Sequence, residues 1–174
     1  MDKDKTIRFV SWDEYLSLIS KLADKLNPYD FDQILAIGRG GIMLGDALSR
    51  IFRRPLDIIM VRSYVNSNKS NKIEYSTMAT FFEHYGRFLI VDDLVDSGET
   101  IELVTEKIKE LTPKPAKSAC LWKKVDSKIT PDFFVELVPS DIWLQQPFEI
   151  WGEHDYLRAD ARGKLWAPSL PPRG

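Results

Sequence analysis

The thirteen residues from Phe88 to Thr100 constrain this chain more than any others. Phe88-Leu89-Ile90-Val91 is apolar at every position and short, as a strand buried on both sheet faces must be. Two carboxylates follow at once, Asp92 and Asp93, then Leu94, Val95 and Asp96, and a small-residue turn, Ser97-Gly98. From Glu99 to Leu111, Ile101, Val104 and Ile108 recur at helical spacing. Open α/β sheets bind ligands outside the carboxyl ends of their strands. A helix amino-terminus adds free backbone N–H groups and the positive end of a dipole, which suits a phosphate. Gly98 lets the backbone approach a ligand closely, and Ser97 and Thr100 add hydroxyls. One loop therefore offers a phosphate cradle at one end and carboxylates at the other, for a hydroxylated or metal-bearing group. A plain capping turn needs only one acid. Three aspartates within five residues exceed that need and repel one another.

Asp92 to Asp96 also spells DDxxD, the magnesium–diphosphate motif of prenyl-chain synthases. Those enzymes carry it on a helix of a longer, all-helical fold. Here it follows a strand and runs into a glycine turn, so that reading is rejected.

The rest of the chain supports a layered α/β domain. Ser11 caps an expected helix from Ser11 or Trp12 to about Leu26, with Glu14 at capping-box spacing. Tyr15, Leu18, Ile19, Leu22 and Leu26 share one face of it, and Asn27-Pro28 ends it. Gln33 to Ile37 reads as a buried strand, followed by Gly38-Arg39-Gly40-Gly41 and a helix from Ile42 to Phe52. Leu56 to Val61, Lys117 to Trp122 and Phe133 to Val138 are further strands. Tyr64 to Glu74, rich in Asn, Ser and Lys, reads as a mobile loop. Strands alternating with helices argue for a mostly parallel sheet flanked by helices. A length of 174 residues fits one domain over 1–174, with 152–174 a tail of unassigned structure.

Composition excludes several classes. A net charge of −2 is too low for a surface that blankets nucleic acid, so no nucleic-acid partner is expected. The single cysteine, Cys120, closes no intrachain disulfide and reads as a buried strand residue. His84 and His154 show no metal-ligand spacing. No apolar run approaches a bilayer span, and the first residues lack an apolar signal region. A cytoplasmic protein without a transmembrane segment is the expectation.

Val91-Asp92-Asp93-Leu94-Val95-Asp96-Ser97-Gly98-Glu99-Thr100 resembles the phosphoribosyl diphosphate (PRPP) motif of the type I phosphoribosyltransferases. Ile37-Gly38-Arg39-Gly40-Gly41 resembles that family's diphosphate loop, and Ser63-Tyr64 the start of its mobile catalytic loop in the 6-oxopurine branch. Asp141-Ile142-Trp143-Leu144-Gln145-Gln146-Pro147-Phe148-Glu149 is similar to the base-binding hood of the xanthine-guanine branch, and Trp12-Asp13 fits it too. The likeness covers residues 7 to 150 or so.

The resemblance implies a type I phosphoribosyltransferase fold with a small hood, acting in purine salvage. The reaction implied is transfer of 5-phosphoribose from PRPP to N9 of guanine, xanthine or hypoxanthine, with Mg²⁺ as cofactor. Asp92 and Asp93 then meet the ribose hydroxyls and the metal, with Glu149 a further metal carboxylate. Asp96 takes the purine N7 proton. Ser97, Gly98, Glu99 and Thr100 surround the 5′-phosphate, while Arg39 and Gly40 hold the diphosphate, in a loop where the family often has a cis peptide. Lys123 or its neighbour Lys124 meets the purine O6, Trp143 stacks on the base, and the Leu144 backbone reads its edge. Ser63, Tyr64, Lys69 and Lys72 belong to the mobile loop, from which Arg62, Lys69 or Lys72 reaches the diphosphate. A homo-oligomer, dimer or tetramer, is implied as well. Gln145, where relatives often have an acid, and Glu149, where they often have Asp, leave the choice of purine open. Two alternatives stand beside this reading: transfer to another base, and a PRPP-sensing regulator on the same fold.

Overall fold

A computed structural model describes residues 6–64, 72–77, 86–112 and 114–149, with the backbone alone at 62–64, 72–77 and 111. The elements run β1 (Thr6–Phe9), α1 (Trp12–Leu26), β2 (Gln33–Gly38), α2 (Gly41–Phe52), β3 (Leu56–Tyr64), β4 (Lys72–Thr77), β5 (Phe88–Val91), β6 (Leu94–Val95), α3 (Glu99–Leu111), β7 (Ala116–Lys124), β8 (Phe133–Val138) and β9 (Ile142–Gln145). Two compact units divide the chain: Leu16–Ser140, and the two chain ends Met1–Tyr15 with Asp141–Gly174.

The larger unit is built on a seven-stranded sheet. Its strands follow one another β4, β3, β2, β5, β7, with β8 and β6 both on β7. Every pairing is parallel except β3 with β4. Val91 pairs with Ala119 and Leu94 with Trp122, so β6 resumes the line of β5 after a break at Asp92-Asp93. The interruption in that strand is therefore the acidic pair itself.

Strand alternation sorts the two sheet faces. Leu35 and Ile37 of β2 join Ile90, Cys120 and the Ile101, Val104 and Ile108 face of α3 in one buried cluster. Ala36, between them, points the other way and meets α2 at Gly45, where a Cβ would lie 2.7 Å from the Ala36 Cβ. Helices thus cover both faces, which is why β2 and β5 are buried at every residue.

In α1, Ser11 Oγ accepts the Glu14 N–H at 3.1 Å, the cap expected from the sequence. The Glu14 carboxylate pairs with Arg8. In the smaller unit β1 and β9 form a two-stranded parallel ribbon, with Ile7 opposite Trp143 and Phe9 opposite Gln145. Tyr15 packs edge-on against Phe148 with ring centroids 5.5 Å apart.

One expectation is corrected. Ser63, Tyr64 and Lys72 lie on paired strands rather than on a loop, Ser63 opposite Ile73 and Tyr64 opposite Lys72. Ile73, Tyr75 and Thr77 alternate with polar residues, a strand pattern, and β4 covers what would otherwise be the open edge of β3. Lys69, His84, His154 and the tail 152–174 lie outside the described residues. No described helix is long and apolar enough to cross a membrane.

Candidate functional site

Two loops at the carboxyl ends of β2 and β5 are packed together in the larger unit. A Cβ on Gly40 would overlap the Asp93 carboxylate, its Cγ only 2.6 Å away, and one on Gly41 would lie 2.9 Å from the Asp92 Cα. Only glycine permits this approach, so Gly38-Arg39-Gly40-Gly41 is docked on the acidic pair. The Gly38–Arg39 peptide is cis, and Arg39 is exposed.

The acidic pair is held by backbone. The Asp93 N–H donates to Asp92 Oδ1 at 3.0 Å, and the Leu94 N–H to Asp93 Oδ1 at 2.8 Å. The Asp93 carbonyl accepts N–H groups of both Leu121 and Trp122, at 3.0 and 3.2 Å, anchoring the break to β7. An edge of Asp92 remains accessible, yet its carboxyl is packed deep in the loop. Burial first, then the adjacent Asp93 charge, lifts its pKa well above the ordinary carboxylate range, against the lowering effect of the Asp93 and Gly41 N–H groups.

Beyond the pair, Asp96 and Ser97 are exposed and Thr100 is half-buried. Ser97 Oγ accepts the Glu99 N–H at 3.3 Å. Gly98 caps α3 at φ 94°, a left-handed conformation that favours glycine. Ile129, from the connection after β7, leaves no room for a Cβ there, with its Cγ1 only 2.7 Å away. Gly98 therefore serves both the turn and the packing beneath it. The first turn of α3 follows this loop directly, and the leading N–H groups of a helix have no carbonyl partner within it.

Lys123 and Lys124 end β7, and both are buried. Lys123 Nζ donates to the Lys124 carbonyl at 3.1 Å and reaches the Ser127 carbonyl at 3.5 Å. Lys124 Nζ donates to the Pro139 carbonyl at 3.1 Å. The two amines thus go to different loops. Buried Cys120 senses the surroundings of Lys123: burial pushes the thiol up, Asp92 and Asp93 push it further, and Lys123 opposes them. Val95, two residues past Asp93, pairs with Lys123, so Lys123 and the acidic pair share one end of the sheet.

In the smaller unit Trp143 is 46% exposed, whereas Leu144, Gln145 and Gln146 are buried. Glu149 Oε2 accepts the Gln146 N–H at 2.9 Å, closing the turn that follows β9. Ser63, Tyr64 and Lys72 have their backbones in the β3–β4 hairpin.

Two features escaped the sequence reading. Gly41 donates its N–H to Asp92, and Ile129 seats Gly98. The double glycine at 40–41 hinted at the first; an isoleucine in a connection carries no signal for the second. As to a metal, no group of three or more His, Cys, Asp or Glu side chains is gathered among the described residues. Asp92 and Asp93 offer two carboxylates side by side. That donor set fits Mg²⁺, which binds through one or two carboxylates together with substrate phosphates.

Residues 11–156 match the phosphoribosyl transferase domain family. The chain is 31% identical over 144 residues to the xanthine-guanine phosphoribosyltransferase of Idiomarina loihiensis, covering 82% of this chain and 86% of the relative. Among solved structures, the purine phosphoribosyltransferase of Pyrococcus horikoshii shares 32% identity with a TM-score of 0.72, over 82% of this chain and 93% of that one. The Helicobacter pylori xanthine-guanine-hypoxanthine phosphoribosyltransferase, at 24% identity, has the same fold with a TM-score of 0.75, over 83% of this chain and 94% of that one.

Proposed function

This chain belongs to the phosphoribosyltransferase family, and on that premise we propose that it transfers 5-phosphoribose from PRPP to N9 of a 6-oxopurine, releasing diphosphate in purine salvage. The observation that carries the reading is the seat of Gly40 on the Asp93 carboxylate. It sets a diphosphate-type loop beside an acidic pair suited to a ribose and its metal.

Asp92 and Asp93 take the ribose hydroxyls, and Asp93 is the carboxylate for Mg²⁺. When bound, Mg²⁺ supplies positive charge against the diphosphate. Arg39, exposed beside that pair, adds a guanidinium suited to phosphate oxygens, and the Gly40 backbone approaches where a side chain would block. Ser97, Gly98, Glu99 and Thr100 surround the 5′-phosphate, with the α3 amino-terminus donating N–H groups and a favourable dipole. Asp96 is exposed at the start of that turn and is the base for the N7 proton, which becomes more acidic as the purine attacks C1′. Lys123 donates to O6. Trp143, half out of its unit's core, stacks on the purine face, and the Leu144 backbone reads the base edge. Bond breaking leaves an oxocarbenium-like sugar and a departing anion, so these residues act chiefly through preorganised charge and hydrogen bonds.

The test is a spectrophotometric assay with PRPP and Mg²⁺ against guanine, xanthine, hypoxanthine, adenine and uracil. Turnover confined to 6-oxopurines is the expected result. Turnover of adenine or uracil alone would move the function to another base. Binding of PRPP with no turnover of any base would favour a regulatory sensor.

A further inference from the structure

The connection from β7 to β8, residues 125–132, lies between the base lysine and the phosphate turn. Lys123 is buried, so its ammonium needs acceptors inside the protein. The nearer is the Lys124 carbonyl at 3.1 Å; the Ser127 carbonyl follows at 3.5 Å, the outer limit of a hydrogen bond. The Ser127 N–H also donates to the Lys124 carbonyl, at 3.1 Å. Both acceptors are therefore set by the turn from Lys124 to Ser127. An ammonium carries three donors, and two placed carbonyls aim the third. The start of this turn is fixed by the Val125 N–H, which donates to the Val138 carbonyl at 3.0 Å, and by Asp126, which accepts the Ser140 hydroxyl at 2.5 Å. Its end is fixed by the Ser127 hydroxyl, which donates to the Ile129 carbonyl at 3.0 Å. Ile129 is in turn packed against Gly98 and against the buried cluster that includes Ile101 and Val104. One hydroxyl thus ties the carbonyls around the Lys123 amine to a residue seated on the core.

We propose that Ser127 is a positioning residue for the transfer: its hydroxyl holds the turn whose carbonyls aim the Lys123 amine at the purine O6. The inference rests on the role of Lys123 proposed above. Ser127 touches neither substrate and acts through Lys123 alone. Its loss leaves the amine in place but less well directed, so the purine is bound more weakly. The 5′-phosphate end is spared, because Ile129 keeps its own packing against Gly98.

The experiment measures KM for guanine, KM for PRPP and kcat in the full chain and in Ser127→Ala, Ser127→Thr, Lys123→Met and the Lys123→Met/Ser127→Ala double variant, each checked by circular dichroism. Ser127→Ala should raise KM for guanine by about 3- to 10-fold, the worth of one hydrogen bond, and leave KM for PRPP within about 2-fold. Ser127→Thr keeps the hydroxyl and should restore the wild-type value. With Lys123 already replaced by Met, removing the hydroxyl should raise KM for guanine by less than about 2-fold, because the group it positions is gone. A Ser127→Ala effect of equal size in both backgrounds overturns the proposal. So does an equal rise in KM for PRPP, which would mark a general structural loss, or a Ser127→Thr protein as impaired as Ser127→Ala. If Lys123→Met raises KM for guanine and Ser127→Ala does not, the positioning role fails and the base reading stands. If Lys123→Met leaves that KM unchanged, the O6 contact itself fails, and the role of Ser127 with it. Calorimetric titration with GMP and with ribose 5-phosphate reads the same effect without turnover. Ser127→Ala should weaken GMP alone; equal weakening of both, no weakening, or no binding of GMP by the wild-type protein overturns the proposal.

Discussion

Asp96 and Gly98 stand two positions apart, and opposite physical demands act on them. Asp96 is exposed and takes part in none of the packing that holds the loop, so its replacement tests chemistry rather than folding. Asp96→Asn should lower kcat by about 100-fold, within the range of a lost general base, while PRPP affinity changes far less. Steady-state kinetics with PRPP binding measured separately decides this; equal losses in both would remove the base role. Gly98 is the reverse case. Its φ of 94° disfavours any side chain, and Ile129 fills the space where a Cβ would stand. Gly98→Ala should cost about 1–3 kcal/mol of stability, read from urea denaturation. In an Ile129→Ala background, whose own loss is measured separately, Gly98→Ala should cost less, because only the unfavourable backbone angle remains. A Gly98→Ala protein of full stability would mean that the turn relaxes to a different conformation.

Among the strands, the plainest in the sequence are those that bury both faces. Gln33–Gly38 and Phe88–Val91 are apolar almost throughout, and only a strand covered by helices on each side requires that. The strand, turn and helix of Phe88–Leu111 were legible for a related reason: they are consecutive, so a single stretch carries the whole pattern. Elements stabilised by remote partners were not. Thr6–Phe9 and Ile142–Gln145 hold each other from opposite ends of the chain, and neither four-residue run has a local signature. Lys72–Thr77 was hidden by the polar stretch before it, and Leu94–Val95 is a two-residue resumption visible only through its pairing with Trp122 and Lys123. The seat of Gly40 on Asp93 likewise joins two separate loops. A further remote tie fixes β8 beside β7. Asp132 accepts the Ser118 N–H at 2.8 Å, the Ser118 hydroxyl at 3.0 Å and the Lys117 ammonium at 2.6 Å. Burial alone would raise its pKa, but the Lys117 and Ser118 hydrogen bonds outweigh burial and hold it below the ordinary carboxylate value. A folded pKa below the unfolded one gives stability that is present above the unfolded pKa, near 4, and lost as pH falls through the folded pKa. Asp132→Asn should therefore cost about 1–2 kcal/mol at pH 7 and much less near pH 3. Urea denaturation at both pH values checks it; an equal cost at each would mean that the carboxylate charge contributes nothing.

For the molecule as a whole, the division into two units separates the proposed tasks. Arg39, the Asp92–Thr100 loop and Lys123 belong to Leu16–Ser140, whereas Trp143, Leu144 and Gln145 belong to the unit of the chain ends. On the proposed roles, phosphate and metal recognition fall to the larger unit, which also supplies Lys123 for O6 and Asp96 for N7, and stacking on the base falls to the smaller. Trp143→Ala should then raise KM for the purine about 10-fold or more, the loss of a stacking contact worth roughly 1–3 kcal/mol, and leave PRPP affinity nearly unchanged. The complementary measurement is thermal. A ligand that binds only the folded state at 100 times its Kd adds about 2.7 kcal/mol. For a chain of this length each kcal/mol moves Tm by about 2–4 °C, so PRPP with Mg²⁺ should raise Tm by about 5–10 °C. Removing Mg²⁺ with a chelator should erase most of that rise, because Asp92 and Asp93 then face the negative ribose diphosphate with no cation to offset their charge. Trp143→Ala should retain it, since the indole takes no part in holding phosphate. A rise that survives chelation would show that Arg39 and the α3 amino-terminus hold PRPP without the acidic pair acting through a metal. A rise lost in Trp143→Ala would show that the indole also contributes to holding PRPP.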